Sequence, residues 1–254
     1  MSVRAVAVVG FKASGKTRVV EAIVRELRDR GYIVGTLKHT AEDVLLDTPG
    51  KDTWRHREAG AGATAILHES SAAFFFDRYL TVYEAASKLG GLDFVVLEGF
   101  KSLGTVAKII LPREAGEVEK LSDGLEIACV DLIDGGFGSG VGVPVFSIDD
   151  IGRVVDTVED RAFHLLPDLN CHGCGYVDCR EMAAAILAGD SDVDKCVVMG
   201  ATGISLRVDG EEILLGPFVQ ELIRNVIMGL VKTFKGVEDP RRIELVLDSG
   251  DEDV

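Results

Sequence analysis

The chain has 254 residues, of which 47% are hydrophobic and 27% are charged, and this globular composition excludes a disordered chain. The 27 Lys and Arg residues face 42 Asp and Glu residues, so the formal charge of −15 disfavours nucleic acid and anionic membrane surfaces as partners. The apolar runs are shorter than the roughly 18–20 residues of a membrane span, and the N-terminus lacks a signal-peptide pattern. We therefore expect a cytoplasmic protein.

Short β-branched runs alternate with amphipathic segments along the first part of the chain. Strands are predicted at residues 3–9, 32–37, 94–97, 106–111, 126–130 and 143–146. Helices are predicted at residues 18–30, 53–59, 82–89 and 151–163. This alternation predicts an α/β domain built around a mostly parallel sheet.

The sequence pattern changes near residues 164–170, which predicts two domains, 1–165 and 166–254. The elements predicted after this boundary are a helix at 180–188, a hairpin of 204–208 and 212–215 around Asp209-Gly210, an amphipathic helix at 217–234, a strand at 243–247 and an acidic tail at 248–254. The second half is therefore predicted to be a small α+β domain.

Residues 10–17 match the phosphate-loop pattern G-x-x-x-x-G-K-[ST] between a predicted buried strand and a helix. Glycines let such a loop wrap a phosphate, and the helix N-terminus adds amide donors and partial positive charge. Lys16 is predicted to reach the β- and γ-phosphates, and the Thr17 hydroxyl to bind Mg²⁺. The predicted phosphate-binding residues are Gly10, Lys12, Ala13, Ser14, Gly15, Lys16 and Thr17.

A phosphate loop also needs an acid near the metal. Glu98 follows the predicted strand at 94–97, so its carboxylate is expected at the sheet edge where ligands bind. The alternative is a strand-end charge without a metal. Asp47 is a second candidate acid, and Asp131 is a candidate for reading a guanine edge. The glycine run at 135–140 lacks a following lysine or helix and is predicted to be a loop.

Three further segments follow the phosphate loop in a specific order. They are Lys38-His39-Thr40, the D-T-P-G-K-D segment at 47–52, and the L-E-G-F-K segment at 97–101. This order and spacing resemble the molybdopterin-guanine dinucleotide biosynthesis protein B family over roughly residues 1–160. One departure is Ala41-Glu42, which stand where members often carry two histidines.

The resemblance implies a P-loop GTP-binding protein with weak GTPase activity, often a homodimer. It implies a partner, the guanylyltransferase that attaches GMP to molybdopterin, with molybdopterin itself as a further ligand. It also implies that Lys16 acts at the phosphates and Glu98 at the metal. The remaining residues that it places beside the phosphates are Lys38, His39, Asp47, Gly50, Lys51 and Asp52.

Four of the five cysteines, Cys171, Cys174, Cys179 and Cys196, lie within 26 residues. Their thiolates suit either zinc or a [4Fe–4S] cluster, and a disulfide is a weaker alternative in a cytoplasmic chain. The segment resembles the four-cysteine [4Fe–4S] domain of electron-transfer complex subunits and corrinoid iron–sulfur proteins, which favours the cluster over zinc. The fifth cysteine, Cys129, lies in a predicted buried strand and is expected to be a core residue.

These features together predict an accessory GTP-binding protein of molybdopterin guanine dinucleotide synthesis that also carries an iron–sulfur cluster. Whether it is an enzyme is left open beyond a weak GTPase activity. Two alternatives remain. One is a redox-responsive nucleotide-binding adaptor, and the other is a maturation NTPase that delivers metal in the manner of a metallochaperone.

Overall fold

The computed structural model describes residues 3–40, 44–133, 142–199, 204–235, 240 and 243–247. Ala41 and Glu42, the glycine run at 135–140 and the predicted acidic tail at 248–254 lie outside these residues. The chain forms two compact units, Met1–Gly200 and Ala201–Val254.

The first unit contains strands and helices in alternation, as the sequence pattern predicts. Its strands are β1 (Arg4–Val9), β2 (Val34–Lys38), β3 (Ala63–His68), β4 (Ser71–Phe76), β5 (Phe94–Glu98), β6 (Ala107–Ile110), β7 (Glu126–Asp131) and β8 (Val145–Ser147). Its helices are α1 (Lys16–Asp29), α2 (Asp52–Glu58), α3 (Val82–Leu89), α4 (Ala115–Leu121), α5 (Ile151–Arg161) and α6 (Cys179–Ala188).

Six of the described strands form one sheet in the order β2-β5-β1-β6-β7-β8, and every neighbouring pair is parallel. The parallel sheet of the prediction is therefore confirmed. Because all strands run the same way, the carboxyl ends of β1, β2, β5 and β6 share one edge, where α/β proteins bind ligands.

The sheet is buried on both faces, because successive residues of a strand point to opposite sides. Val6 and Val8 of β1 belong to a core that includes residues of α1 and α5. Ala5, Ala7 and Val9 belong to the opposite core. All five residues of β1 named here are fully buried. This is why the strand reads as a continuous apolar run rather than as an alternating one.

A hairpin formed by β3 and β4 was not predicted from the sequence. Its register is regular, from Ala63 opposite Phe76 to His68 opposite Ser71. Alanine has low strand propensity, and most of the hairpin's residues are exposed or only half-buried, so no apolar-polar alternation marks it. The short helix α4 was missed as well, because seven residues including Gly116 give a weak helical pattern.

The cysteine segment is packed into the first unit. Cys179, Met182, Ala183 and Cys196 are buried in the same core as Val6. The predicted boundary at residue 165 therefore falls inside this compact unit, whose last residue is Gly200.

The second unit contains β9 (Leu206–Val208), β10 (Glu211–Ile213) and α7 (Pro217–Val231). The hairpin turn at Asp209-Gly210 is confirmed, since both residues have the positive φ angles, 52° and 82°, that a tight primed turn requires. The strand predicted at 243–247 is wrong. This segment is irregular, and the described part of the chain supplies no strand to pair with it. None of the described helices has the length and apolar character needed to cross a bilayer.

Candidate functional site

The loop at residues 10–17 connects β1 to α1 in a tightly folded conformation. Gly15 has φ 83° and Ala13 has φ 61°, and the left-handed region favours glycine at the first of these positions. A Cβ atom on Gly10 would lie 2.4 Å from Ser14 Oγ and 2.9 Å from the Leu111 carbonyl oxygen. Any side chain at Gly10 would therefore force the cradle open.

The N-terminus of α1 is arranged to accept an anion. No side chain caps it, and its first turn contains no acidic residue. The Ser14 hydroxyl oxygen beside it is buried and has no hydrogen-bond partner in the described residues. Free amide donors, the positive end of a 14-residue helix and an unpaired hydroxyl fit a phosphate group.

Lys16 lies over the loop, with its Nζ donating a hydrogen bond to the Phe11 carbonyl oxygen at 2.7 Å. Burial lowers the pKa of Lys16, nearby Glu98 raises it, and the positive charges of Lys38 and Arg113 lower it further. An ammonium group that is partly desolvated and surrounded by cations gains most when an anion arrives. The position thus suits the phosphate-binding lysine predicted from the motif.

Glu98 lies at the end of β5 and is 9% exposed. Its Oε1 accepts hydrogen bonds from Thr17 Oγ1 at 2.9 Å and from Lys38 Nζ at 2.9 Å. The parallel register brings Lys38 and Glu98 opposite each other on β2 and β5. The hydroxyl and carboxylate that the sequence nominated for Mg²⁺ are thus adjacent, although they are 81 residues apart.

His39 contributes to this edge through its backbone, since its amide donates to the Glu98 carbonyl oxygen at 3.0 Å. Its imidazole is exposed and lies 5.4 Å from the Phe100 ring, centroid to centroid. Gly99 and Phe100 both have positive φ, so the chain turns sharply after β5. The contacts of the ring indicate packing rather than an acid–base partner.

The segment around Asp47 has mainly local contacts. Asp47 Oδ1 accepts hydrogen bonds from the Thr48 amide at 2.7 Å and from Thr53 Oγ1 at 3.1 Å. Its Oδ2 is buried and lacks a hydrogen-bond partner among the described residues. Lys51 and Asp52 are exposed at the start of α2. Their predicted place beside the phosphates stays a prediction.

Asp131 ends β7 close to the phosphate loop. A Cβ atom on Gly15 would lie 2.3 Å from Leu132 Cδ1, so the residue after Asp131 packs against the loop. The Asp131 side chain is buried and accepts a hydrogen bond from the Ile133 amide at 3.0 Å. Its role in reading guanine stays a prediction.

Two cations beside the loop escaped the sequence analysis, Lys101 and Arg113. Lys101 Nζ lies 4.4 Å from the centroid of the Phe11 ring. Arg113 Nη1 donates a hydrogen bond to the Lys12 carbonyl oxygen at 2.9 Å. Lys101 ends the L-E-G-F-K segment, but no role at the phosphates was predicted for it, and Arg113 belongs to no motif. Both residues follow β5 and β6, the two strands that flank β1.

The four clustered cysteines are neighbours in the structure, and all of them are free thiols. The Cys179 thiol interacts electrostatically with those of Cys196 and Cys171, and the Cys196 thiol interacts with those of Cys174 and Cys171. Among the described residues, no three His, Cys, Asp or Glu side chains are placed to hold a single metal ion.

Burial raises the pKa of Cys179 and of Cys196. Backbone amides act in the opposite direction, from Met199 and Val198 on the Cys196 thiol. Amides directed at a sulfur favour its thiolate and are a common feature around protein-bound metal clusters. Four neighbouring thiols, with amides directed at Cys196, are the donor type that a soft metal centre takes.

The loop before α6 is strained, since Asp168, Asn170 and His172 all have positive φ. The Asn170 side-chain oxygen accepts a hydrogen bond from the Cys179 amide at 2.9 Å, which ties the loop to the start of α6. Three non-glycine residues in a disfavoured conformation indicate a loop held in shape by its surroundings.

The cysteine segment contacts the sheet domain through Arg180, the residue after Cys179. Arg180 Nη2 donates to the Asp123 carbonyl oxygen at 2.6 Å and lies 3.8 Å from Asp123 Oδ2. The same Oδ2 lies 2.5 Å from Nζ of Lys108, a fully buried lysine of β6. Lys108 Nζ also donates to the Lys101 carbonyl oxygen at 2.9 Å.

Comparison with known families matches both halves of this arrangement. The family model of "Molybdopterin guanine dinucleotide synthesis protein B" matches residues 5–131. A second model, described as "Putative Fe-S cluster", matches residues 166–198.

Similar proteins carry related names. The "Putative molybdopterin-guanine dinucleotide biosynthesis adapter protein" of Methanocaldococcus jannaschii is 34% identical over 247 residues, which cover 96% of this chain and 97% of that protein. A component of the ion-translocating oxidoreductase complex of Tolumonas auensis is 35% identical over 91 residues, which cover 30% of this chain and 47% of that protein.

The fold has a counterpart among solved structures. The crystal structure of Bacillus subtilis MobB superposes with a TM-score of 0.54 at 28% identity, covering 63% of this chain and 98% of that one. The predicted P-loop fold class and both resemblances seen in the sequence are therefore confirmed.

Proposed function

The chain belongs to the molybdopterin guanine dinucleotide synthesis protein B family, and on that premise we propose that it is a GTP-binding adapter protein of this cofactor synthesis with a [4Fe–4S] cluster. The observation that carries the proposal is the phosphate loop with Thr17 and Glu98 in hydrogen-bond contact at its rim. The preference for guanine over adenine rests on family membership rather than on a particular residue of the chain.

We propose that the amides of residues 13–17 and the Lys16 ammonium hold the nucleotide phosphates. The uncapped N-terminus of α1 and the tight approach of Gly10 to Ser14 support this assignment. Lys38, His39, Asp47, Lys51 and Asp52 are proposed to border the same site. Any hydrolysis would then come from positioning and charge neutralisation, and we expect slow turnover without a partner.

Mg²⁺ is the proposed companion of the nucleotide. It would be held by the Thr17 hydroxyl and by Glu98, directly or through water, and would neutralise charge that develops on the phosphates. Hard oxygen donors at the rim of an anion site support this choice. Lys38 is paired with Glu98 and would have to release it when the metal binds.

We propose that Cys171, Cys174, Cys179 and Cys196 ligate the cluster. Their spacing, their proximity to one another and the amides directed at Cys196 support a thiolate centre. The match of residues 166–198 to an iron–sulfur family model supports iron over zinc. When bound, such a cluster supplies one-electron redox chemistry.

The nucleotide assignment is tested by calorimetry with GTP, ATP and Mg²⁺ on the wild type and on Lys16→Ala. We expect binding of GTP by the wild type and its loss in the variant, because the ammonium supplies the main localised charge. Lys120→Ala, which removes an exposed lysine of α4, is the control for net charge and should bind normally. Equal affinity of Lys16→Ala and the wild type would refute the phosphate-loop assignment.

The cluster is tested by metal analysis and visible absorption of protein purified without oxygen. We expect brown protein with about four irons per chain, and a loss or conversion of the cluster when any one of the four cysteines is changed to serine. Cys129→Ser is the control, because this fully buried thiol of β7 lies in the core on the opposite face of the sheet from Cys179 and Cys196. Colourless protein with about one zinc per chain would establish the zinc alternative instead.

The proposed partner is the guanylyltransferase of the same synthesis, and the proposed assembly is a homodimer. Exposed apolar side chains on the β3–β4 hairpin, Ile66, Leu67 and Phe74, support a contact surface there. Sedimentation of the wild type and of Phe74→Ser measures the assembly. A monomeric wild type would refute the dimer.

A redox-responsive adaptor is the second candidate. The observation that favours it is the burial of Cys179 and Cys196 in the core that also contains Val6 and Val8 of β1, the strand that leads into the phosphate loop. Nucleotide affinity and turnover, measured with and without a reductant, separate it from a GTPase indifferent to the cluster.

A further inference from the structure

Arg113 lies beside the phosphate loop in a fixed orientation. Its Nη1 donates to the Lys12 carbonyl oxygen, next to the Phe11 carbonyl that holds Lys16. Its Nε and Nη2 donate to Glu117, a residue 4% exposed, at 3.0 and 2.5 Å. The register places Ile110 of β6 opposite Val9 of β1, so the two strands lead Arg113 and the loop to the same edge.

We propose that Arg113 is a second phosphate-binding cation of this site, contacting the terminal phosphate of a bound nucleoside triphosphate. This rests on the proposed nucleotide function. Lys16 and Arg113 are held on adjacent carbonyls of one loop, so both charges face the region where the end of the phosphate chain lies. The guanidinium has five N–H groups, and within the described part of the chain three of them donate hydrogen bonds, which leaves one on each Nη for a phosphate oxygen.

The surroundings of Arg113 explain why it is held in place. Glu117 fixes the planar fork through charge-assisted hydrogen bonds, and the Phe11 ring centroid lies 5.8 Å from Arg113 Cζ. A guanidinium restrained in this way loses little side-chain freedom when phosphate arrives. The chain has a net charge of −15, so a cation at this position offsets the repulsion between the chain and a negatively charged phosphate.

The test compares the affinities for GTP, GDP and GMP of the wild type, Arg113→Ala and Arg113→Lys, all with Mg²⁺. A contact with the terminal phosphate predicts that Arg113→Ala weakens GTP by about tenfold to a hundredfold, the usual contribution of a charged hydrogen bond, and changes GDP much less. Arg113→Lys should restore part of the loss. Lys120→Ala removes a charge from the same region without touching the loop and should leave the GTP to GDP ratio unchanged.

A proportional loss of GTP, GDP and GMP binding would overturn the proposal, because it would show that Arg113 only supports the Lys12 carbonyl. An unchanged GTP affinity would overturn it as well. Failure of the wild type to bind any nucleotide would instead refute the proposed function. Thermal unfolding of each variant shows whether a loss of nucleotide affinity results from a less stable fold.

A second, independent observation concerns residues 99–106, which we call the linking segment. It begins after Glu98, and its Lys101 contacts Phe11 of the phosphate loop. A Cβ atom on its Gly104 would lie 3.1 Å from Arg180 Cβ, so the Arg180 stem packs directly on it. The Thr105 carbonyl accepts a hydrogen bond from the Leu166 amide at 3.4 Å. One short stretch of chain thus contacts both candidate sites.

The ion pair of Asp123 with Lys108 fastens this contact. Lys108 is fully buried and holds the Lys101 carbonyl and Asp123 together. Arg180 donates to the carbonyl of the same Asp123. Because Cys179 and Arg180 are consecutive residues in the first turn of α6, fixing the cysteine also fixes the arginine.

We infer that loading of the four-cysteine site strengthens nucleotide binding through Arg180 and the linking segment. This too rests on the proposed function. Ligation of Cys179 would restrain the start of α6, and Arg180 would then restrain Gly104 and Lys101 against Phe11. A phosphate loop that is already restrained loses less conformational entropy when the nucleotide binds, so the nucleotide binds more tightly.

The test measures GTP affinity in anaerobic iron-loaded protein and in iron-depleted protein, for the wild type, Arg180→Ala and Arg161→Ala. We expect the loaded wild type to bind GTP at least about fivefold more tightly, the lower end of common allosteric couplings. Arg180→Ala should bind GTP equally well in the iron-loaded and iron-depleted forms, and it should still bind iron. Arg161 also joins α6 to the rest of the unit, donating to the Leu187 carbonyl at 3.2 Å, but it does not reach the linking segment. Arg161→Ala should therefore keep the ratio.

Equal GTP affinities of loaded and depleted wild type would overturn the coupling, and so would a full ratio in Arg180→Ala. Loss of the ratio in both arginine variants would overturn the route through the linking segment, because general docking of α6 would then explain it. A protein that binds neither GTP nor iron would refute the proposed function instead.

Discussion

The phosphate loop and the cysteine segment are two sites built on opposite principles. The first uses the backbone of eight consecutive residues, shaped by glycines and by the end of a buried strand, so its motif is complete within residues 10–17. The second uses four side chains from a strained loop, a helix start and a residue after a 3₁₀ turn, Val193–Lys195. A backbone site is therefore preformed by the fold, whereas a side-chain site depends on how its segment is packed.

The largest expected effect comes from removing that packing. A chain ending at residue 165 should lose stability severely, because Leu166, Met182 and Ala183 leave a core shared with β1, and each large buried side chain contributes about 2–5 kcal/mol. A chain ending at Gly200 should keep its unfolding temperature and both ligands. Thermal unfolding and metal content are the measurements. If both chains behave alike, the boundary at residue 165 separates two independent folding units.

The ion pair of Asp123 with Lys108, which Arg180 of the cysteine segment also contacts, provides a second comparison. Asp123→Asn should reduce the free energy of unfolding by about 3–5 kcal/mol, because it removes the charge that balances the buried Lys108 ammonium. Lys108→Met should cost less, because the carboxylate that it leaves behind is 20% exposed and lies 3.8 Å from Arg180 Nη2, so no fully buried charge is left unpaired. Urea unfolding of both variants measures this. If Lys108→Met lowers the free energy of unfolding more than Asp123→Asn does, Asp123 is not the group that balances the buried Lys108 charge.

At the phosphate loop, Glu98→Gln distinguishes the contribution of Mg²⁺ to GTP binding from that of the loop amides. The amide cannot supply the carboxylate charge, so we expect a tenfold or greater rise in the Mg²⁺ concentration needed for tight GTP binding, about 1.4 kcal/mol. Binding without Mg²⁺ should change little, because the loop amides and Lys16 are intact. A Mg²⁺ dependence identical to that of the wild type would leave Glu98 as a strand-end residue.

The smallest effect concerns His164, whose backbone bridges to Arg4 of β1 where the chain enters the cysteine segment. Burial lowers the pKa of His164, and the positive charge of Arg4 lowers it further. Because the folded state prefers the neutral ring, this residue's contribution to stability is present above pH 6.5, the ordinary value, and is lost as the pH falls below it. His164→Gln should make unfolding less sensitive to acid between about pH 7 and 5. If the free energy of unfolding depends on pH equally in the wild type and in His164→Gln, the prediction is wrong.

The candidate site was predictable only in part. The phosphate loop, Glu98 and the four cysteines were all recognised from local patterns, because strand–loop–helix signals and short cysteine spacings lie within a few residues of each other. Arg113 and Lys101 were not recognised, since only the order of strands in the sheet brings their connections beside β1. The hairpin of β3 and β4 was missed for a different reason, its lack of an alternating pattern.

By itself, the sequence determined the α/β class, the phosphate-loop motif and the clustered thiols of this protein, because each depends on contacts between near neighbours in the chain. The tertiary structure alone decided that Thr17 meets Glu98, that α6 shares a core with β1, and that Lys108 lies between Asp123 and Lys101. These contacts join residues brought together by parallel strand pairing and by burial. Their partners are selected by the shape of the whole sheet rather than by any local pattern.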